Sequence, residues 1–383
     1  MADAFSTWTS VSFDKSDGPS FAIAQIERSS YPPQDHAAAN GTDITQKAGE
    51  GRRVGNFTRP LVFVKTHKTA STTLAHIINR YGYSNNLSFL LYKRDPTRGH
   101  FRQRKLKGKR DILPPIGVQT LDYKHYRDYD LMTSHIRLLP NLNFLKHHMR
   151  SGAKFVTILR EPTKQFTSAF FFFRCPEYYP MAGKTQFQIV DTFLRRPFFH
   201  WNRIRNSYCK IYIRNGMFYD LISDERIHKS VDVVNKAIRK LDGVLDLVLI
   251  TEYLDESLLL LKKIMSWEFE DILYLRANQR SERSGTNREQ RIKIRRWNMA
   301  DALLYKHYNH TLWKKVAKYD GDFEADLKHF RTMLHDYYEM CNVQTVVAGK
   351  KIARKVDRNA SEQCKNIVSV NLTSIVTRQR AAP

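Results

Sequence analysis

Residues 61–82, LVFVKTHKTASTTLAHIINRYG, decide the fold. Leu61–Val64 is a short, wholly apolar run, the pattern of a strand buried on both faces. Ser71–Gly82 follows with a helical pattern, and Gly82 is placed as its C-cap. Between strand and helix lies a loop holding Lys65, His67 and Lys68, with hydroxyls from Thr66, Thr69, Ser71 and Thr72. A strand, a cationic hydroxyl-rich loop and a helix start together form a phosphate cradle, because helix-start N–H groups and the helix dipole both favour an anion. It is not a Walker A loop, which needs G-x-x-x-x-G-K-[ST], since no glycine occurs between Arg59 and Tyr81. No strand run ends in a clear acidic residue to hold magnesium, so a donor handled without metal is expected.

Working outward, KFVTILR at 154–160 and VLDLVLI at 244–250 repeat the strand pattern. Each is followed by a helical pattern, PTKQFTSAFFFF in one case and YLDESLLLLKKIMSW in the other. A weaker strand is YDLMTSH at 129–135. This alternation predicts an α/β fold with a central parallel sheet flanked by helices and the ligand site beyond the carboxyl ends of the strands. Arg160 stands at one such strand end, where a guanidinium fork suits a phosphate, and Ser168 follows on the next helix. Residues 1–58 are polar and aperiodic and are expected to be a disordered stem. The patterned domain covers 59–345, and residues 346–383 form a tail without pattern.

The chain has 383 residues and a formal charge of +25, which points to anionic partners without choosing among nucleic acid, membrane and phosphorylated or sulfated molecules. The four cysteines, Cys175, Cys209, Cys341 and Cys364, show no C-x-x-C spacing. Two disulfides, one disulfide with two thiols, and four thiols all fit. Six N-x-S/T patterns, at Asn40, Asn56, Asn86, Asn309, Asn359 and Asn371, lean toward a secretory lumen. The first thirty residues hold no apolar run beyond Phe21–Ile26, too short for a signal core or a membrane span.

KTHKTASTT and FVTILREPTKQFTSAFFFF resemble the 5′-phosphosulfate and 3′-phosphate segments of Golgi carbohydrate sulfotransferases. The THKTAS core, SHIR at 134–137, and the long stretches 249–280 and 296–316 are similar to the galactose 3-O-sulfotransferases, a group that includes galactosylceramide sulfotransferase. The resemblance covers residues 61 to about 345. It implies a P-loop-like three-layer sulfotransferase fold, the donor PAPS (3′-phosphoadenosine 5′-phosphosulfate) without a metal, and a galactose-terminated glycolipid or glycan as acceptor. It also implies a Golgi lumen or type II Golgi membrane setting, with a membrane surface as partner where the acceptor is a lipid. The anchor of that group is not matched in these residues, and the run 93–110, with nine Lys/Arg and one acid, is more basic than the group suggests.

Within that resemblance, Lys65, Thr66, Lys68, Thr69, Ser71, Thr72, Arg160 and Ser168 are the donor-binding candidates. His67 is the expected general base, since imidazole titrates near neutrality. Lys68 is placed to stabilise the leaving oxygen and Lys65 to neutralise the 5′-phosphate. His135 is a second candidate base or acceptor-orienting group. Asn278, Trp297 and Asn298 are further sugar-contact candidates. A uronyl 2-O-sulfotransferase and a basic nucleic-acid-binding protein are the alternatives. The 249–280 and 296–316 segments argue against the first, and the lack of any nucleic-acid motif argues against the second.

Overall fold

The computed structural model describes residues 59–92, 112–118, 122–179, 183–223, 230–275, 279–280, 285–348, 351–357, 359–361, 364–365, 370 and 372–381. The basic run 93–110, Asn278 and the sequons at Asn40, Asn56 and Asn371 lie outside them.

The first strand, β1 (Leu61–Val64), is buried at every residue. It lies between β2 (Leu131–Met132) and β3 (Lys154–Leu159), and β4 (Leu247–Ile250) completes a parallel sheet in the order β2-β1-β3-β4. Leu61 pairs with Leu131 on one side and with Lys154 on the other, and Val156 pairs with Leu247. The strand expected over 129–135 shrinks to two paired residues at the sheet edge, with Tyr129 adding an isolated parallel bridge to Met149.

Helix α1 (Ser71–Ser84) follows β1 and α2 (Leu138–His148) follows β2. After β3 comes α3 (Pro162–Phe172), with Pro162 in its first turn and the Glu161 side chain capping Lys164 N–H. A lobe of short helices comes next: α4 (Gln186–Arg195), α5 (Pro197–Arg203), α6 (Ser207–Tyr212) and α7 (Gly216–Leu221). Helix α8 (Val231–Asp242) leads into β4, and α9 (Leu254–Met265) and α10 (Phe269–Ile272) follow it. Then come β5 (Gln279–Arg280), α11 (Arg288–Trp297), α12 (Met299–Val316) and α13 (Phe323–Met340). Two antiparallel strands, β6 (Gln344–Ala348) and β7 (Lys351–Lys355), join β5 in the order β5-β7-β6. The chain ends in α14 (Leu372–Ala381).

The sheet and its helices enclose one large apolar core, and a second core built on Phe166, Phe170, Phe193, Tyr212 and Ile294 fills the short-helix lobe. The disulfide Cys175–Cys209 staples that lobe, and Cys341–Cys364 staples the end of α13 to the C-terminal segment. The pairing left open by spacing is thus two disulfides. Gly82 is a correction. Helix α1 runs two residues past it, and a Cβ there would come within 2.3 Å of Leu131 Cδ1 and 2.4 Å of Phe89 Cζ. The glycine therefore serves close packing of the helix on the sheet edge.

The segment after residue 345, patternless in sequence, packs on the body. Gln379 donates to Phe89 O and Pro114 O and accepts from Phe89 N–H, while Ile375 and Val376 are buried. All described residues belong to one compact unit. None of their helices is long and apolar enough to cross a membrane.

Candidate active site

The loop Lys65–Ala70 carries the chain from β1 into α1. Lys68 and Ala70 have φ of 67° and 60°, a left-handed backbone that costs a residue with a side chain roughly 1–2 kcal/mol and persists only where the surroundings impose it. Here they do, because six successive carbonyls are tied to the body. Lys65 O lies 3.0 Å from His135 Nδ1, and Thr66 O accepts from Ser71 Oγ at 2.7 Å. His67 O accepts from Gln165 Nε2 at 3.3 Å and Lys68 O from Arg160 Nη1 at 3.2 Å. Thr69 O accepts from Thr251 Oγ1 at 2.7 Å, and Ala70 O from Thr73 N–H at 3.0 Å. In a trans peptide the N–H points opposite to the C=O. The N–H groups of Lys65 and His67 donate to Ser134 O and Asp220 Oδ2, and those nearer the helix start take the arrangement of an anion nest.

Three hydroxyls depart from the sequence expectation. Thr66 Oγ1 bonds Ile158 O and lies 2.7 Å from Thr69 Oγ1, Thr69 Oγ1 donates to Thr66 O, and Ser71 Oγ also donates to Thr66 O. Each hydroxyl has one proton to give, so in this structure Thr66, Thr69 and Ser71 shape the loop from within. Thr72 and Ser168 remain partly exposed. Burial lowers the Lys65 pKa to about 8, and among the described residues no carboxylate forms an ion pair with it. Arg160, one residue past β3, spans from that strand to the loop. These residues fit an anionic donor, because the buried Lys65 ammonium has no carboxylate partner among the described residues.

His67 is mostly buried, and its ring is stacked between His135, with centroids 4.0 Å apart, and Tyr212, at 3.8 Å. Its Nδ1 lies 2.9 Å from Asp220 Oδ2 and 3.1 Å from Oδ1, and its backbone N–H donates to the same carboxylate at 2.8 Å. Tyr212 OH donates to Asp220 Oδ1 at 3.2 Å, and burial followed by the Asp220 charge pushes the phenol pKa up. A carboxylate on Nδ1 selects the tautomer whose lone pair is on Nε2, the form a directed base needs. Helix α7, which carries Asp220, is itself held by α12. The Asp301 carboxylate accepts from Phe218 N–H at 2.7 Å and Met217 N–H at 3.2 Å, and Asn298 Oδ1 accepts from Asn215 N–H at 2.7 Å.

The structure brings together Lys65, His67, Lys68, His135 and Arg160 at the strand ends. It does not add Trp297 or Asn298 to them. Trp297 is buried with its indole N–H on Ile213 O, and Asn298 is fully buried in the α7–α12 clamp. Sequence reasoning missed Asp220. Its one signal is isolation, since it is the only acid between Asp191 and Asp224 and sits in an apolar run.

A family model for galactose-3-O-sulfotransferases matches residues 21–372. Galactosylceramide sulfotransferase of Bos taurus is 32% identical over 269 residues, covering 68% of this chain and 58% of that protein. The human galactosylceramide sulfotransferase is 31% identical over 304 residues, covering 78% and 65%. Galactose-3-O-sulfotransferase 3 of Mus musculus is 32% identical over 263 residues, covering 67% and 57%. The chain thus spans about three fifths of the length of these relatives.

Proposed function

The chain belongs to the galactose-3-O-sulfotransferase family, and from that premise we propose that it transfers a sulfuryl group from PAPS to the 3-hydroxyl of a galactose on a glycolipid or glycan. The observation that carries the reading is the His67–Asp220 pair, set beside a cationic loop at the ends of parallel strands. On this reading residues 59–345 hold the transfer chemistry, 1–58 form a stem and 346–383 a tail.

PAPS supplies the sulfuryl group and a phosphate leaving group. Lys65, the loop N–H groups and Thr72 hold the 5′ side of the donor, and Arg160 and Ser168 hold its 3′-phosphate. Thr66, Thr69 and Ser71 keep the loop in the shape that binds it. His67 Nε2 takes the proton of the acceptor hydroxyl, with Asp220 holding the ring and stabilising the imidazolium that forms. Lys68 offsets charge on the leaving oxygen. His135 orients the His67 ring by stacking on it. The two disulfides and the sequons support a Golgi lumen, where oxidation and glycosylation occur.

The test is transfer of labelled sulfate from PAPS to galactosylceramide, lactosylceramide, N-acetyllactosamine and heparosan, with the product position read by NMR. Sulfate at galactose C3 is the expected result. Transfer to heparosan alone would move the chain to the uronyl 2-O class, and no transfer to any acceptor would refute the proposal.

A further inference from the structure

We propose that the acceptor sugar binds in an aromatic cleft lined by Phe172, Phe173, Arg174, Asn206 and Tyr208, with the C–H face of a β-galactopyranose stacked on Phe172 and Tyr208. The inference rests on the reaction proposed above. The cleft has a volume of about 280 Å³, room for one sugar ring. Most of its lining is ring surface. Phe172 is 54% exposed and Tyr208 47%, while Phe166 and Phe170 on the same helix as Phe172 are fully buried. Core packing accounts for the buried pair and leaves the exposed pair, beside a cavity, as an apolar surface presented to solvent.

The cleft adjoins the transfer centre through a run of rings. The Tyr212 ring stacks on His67, Phe173 stacks on Tyr212 at 5.3 Å, and Tyr208 stacks on Phe173 at 5.9 Å. Phe173 itself is 6.3 Å from the His67 ring. On the other wall, Lys68 Nζ lies 3.5 Å from the centroid of Phe172. The cleft thus adjoins the proposed base through Phe173 and Tyr212, as an acceptor subsite must.

Its walls are fixed. Phe172, Phe173 and Arg174 immediately precede Cys175, and Asn206 and Tyr208 precede Cys209, so the disulfide joins the two segments that form the cleft. Asn206 reinforces the join by capping Tyr208 and Cys209 N–H and reaching Phe173 O. A preformed aromatic floor with polar groups at its rim suits a sugar, and ordering costs are low when the walls do not move. Galactose suits it in particular. Its axial 4-hydroxyl leaves C3–H, C4–H and C5–H as one continuous apolar patch on the opposite face, which glucose lacks.

The test uses the full chain with octyl β-D-galactoside and octyl β-D-glucoside. Saturation-transfer NMR is expected to label galactoside H3, H4 and H5 most strongly and the glucoside weakly. Tyr208→Ala and Phe172→Ala are each expected to raise the acceptor KM by about threefold to tenfold, with kcat within about twofold in Tyr208→Ala. Tyr208→Phe, which keeps the ring face, is expected to match the unmodified protein. The melting shift produced by PAP (3′-phosphoadenosine 5′-phosphate) should be unchanged in both Tyr208 variants. Unchanged acceptor KM and saturation in both alanine variants overturns the subsite. Loss of the PAP shift with acceptor KM intact also overturns it, by giving the cleft to adenine. If the chain transfers no sulfate yet galactoside saturation disappears in Tyr208→Ala, the subsite stands and the proposed reaction falls.

Discussion

The Asp220 carboxylate receives three donors, His67 Nδ1, His67 N–H and Tyr212 OH, and two of them come from one residue 153 positions earlier in the chain. It fixes the ring and the backbone of His67 together, so a base in a loop gains the rigidity of a helix. His67→Ala is expected to lower kcat by roughly 10²–10⁴-fold, the usual worth of a positioned base, while leaving the PAP melting shift in place. Asp220→Asn keeps the shape but loses the charge and the tautomer preference, and a loss of roughly 10–10³-fold in kcat is expected. If His135→Ala shows the loss expected of His67→Ala instead, the two histidines exchange roles. Lys65 makes a separate prediction. Its pKa is lowered to about 8 by burial, and a bound phosphate restores the charged form. The free protein loses that proton as pH rises through about 8, so binding must take one up and PAP affinity falls above it. The expected slope approaches tenfold per pH unit and disappears in Lys65→Met. Calorimetry in buffers of different ionisation enthalpy checks the proton uptake, and none at pH 9 would refute it. The loop residues were legible because chemistry and position coincide within nine residues. Asp220 was not, since nothing local ties it to a loop so distant in sequence.

At the level of elements, β1, β3 and β4 were legible because burial on both faces demands unbroken apolar runs. The edge strand β2 is also buried, but it pairs over only two residues, too short a run to carry that signature. Gly82 looked like a helix stop because glycine is common at stops, whereas the contact requiring it is with Leu131 and Phe89. Alanine at this position gains up to about 1 kcal/mol in helix propensity, against about 1–3 kcal/mol for overpacking. Gly82→Ala is thus expected to lower Tm, and an equal or higher Tm would refute the packing argument. The α7–α12 clamp has a pH signature. Burial foremost raises the Asp301 pKa from 3.8 to about 7. The folded state then holds a proton that the unfolded state has released between those values, so this group's contribution to stability is largest below pH 4 and fades as pH rises through about 7. Asp301→Asn, which cannot titrate, is expected to flatten the fall in Tm between pH 5 and 8. An unchanged pH profile in the variant would show that the decline originates elsewhere.

Across the whole molecule, two disulfides and a C-terminal helix close what the sheet begins. The tail was illegible because its buried helix face, Leu372, Ile375, Val376 and Gln379, holds only three apolar residues, and the rest of its attachment is made of single contacts. These are the Gln379 amide on the Phe89 backbone, Arg378 on Tyr83 O and Gly82 O, and the Cys341–Cys364 bond. The proposed Golgi-lumen setting implies a pattern of glycans that the fold makes specific. Asn86 is exposed just past α1 with a left-handed backbone, and Asn359 is exposed in a turn. Asn309 lies in the middle of α12 with its side-chain oxygen buried. Glycan transfer needs the Asn amide on a pliable segment, and the middle of a formed helix is not one. Expression through the secretory pathway is therefore expected to modify Asn86 and Asn359 and to leave Asn309 bare, which peptide mass spectrometry after enzymatic deglycosylation reads directly. Asn309→Gln should then leave the electrophoretic mobility unchanged, while Asn86→Gln and Asn359→Gln should each raise it by one glycan step. Occupancy at Asn309 would mean that glycan transfer precedes formation of α12, and bare Asn86 and Asn359 after secretion would argue against a lumenal protein.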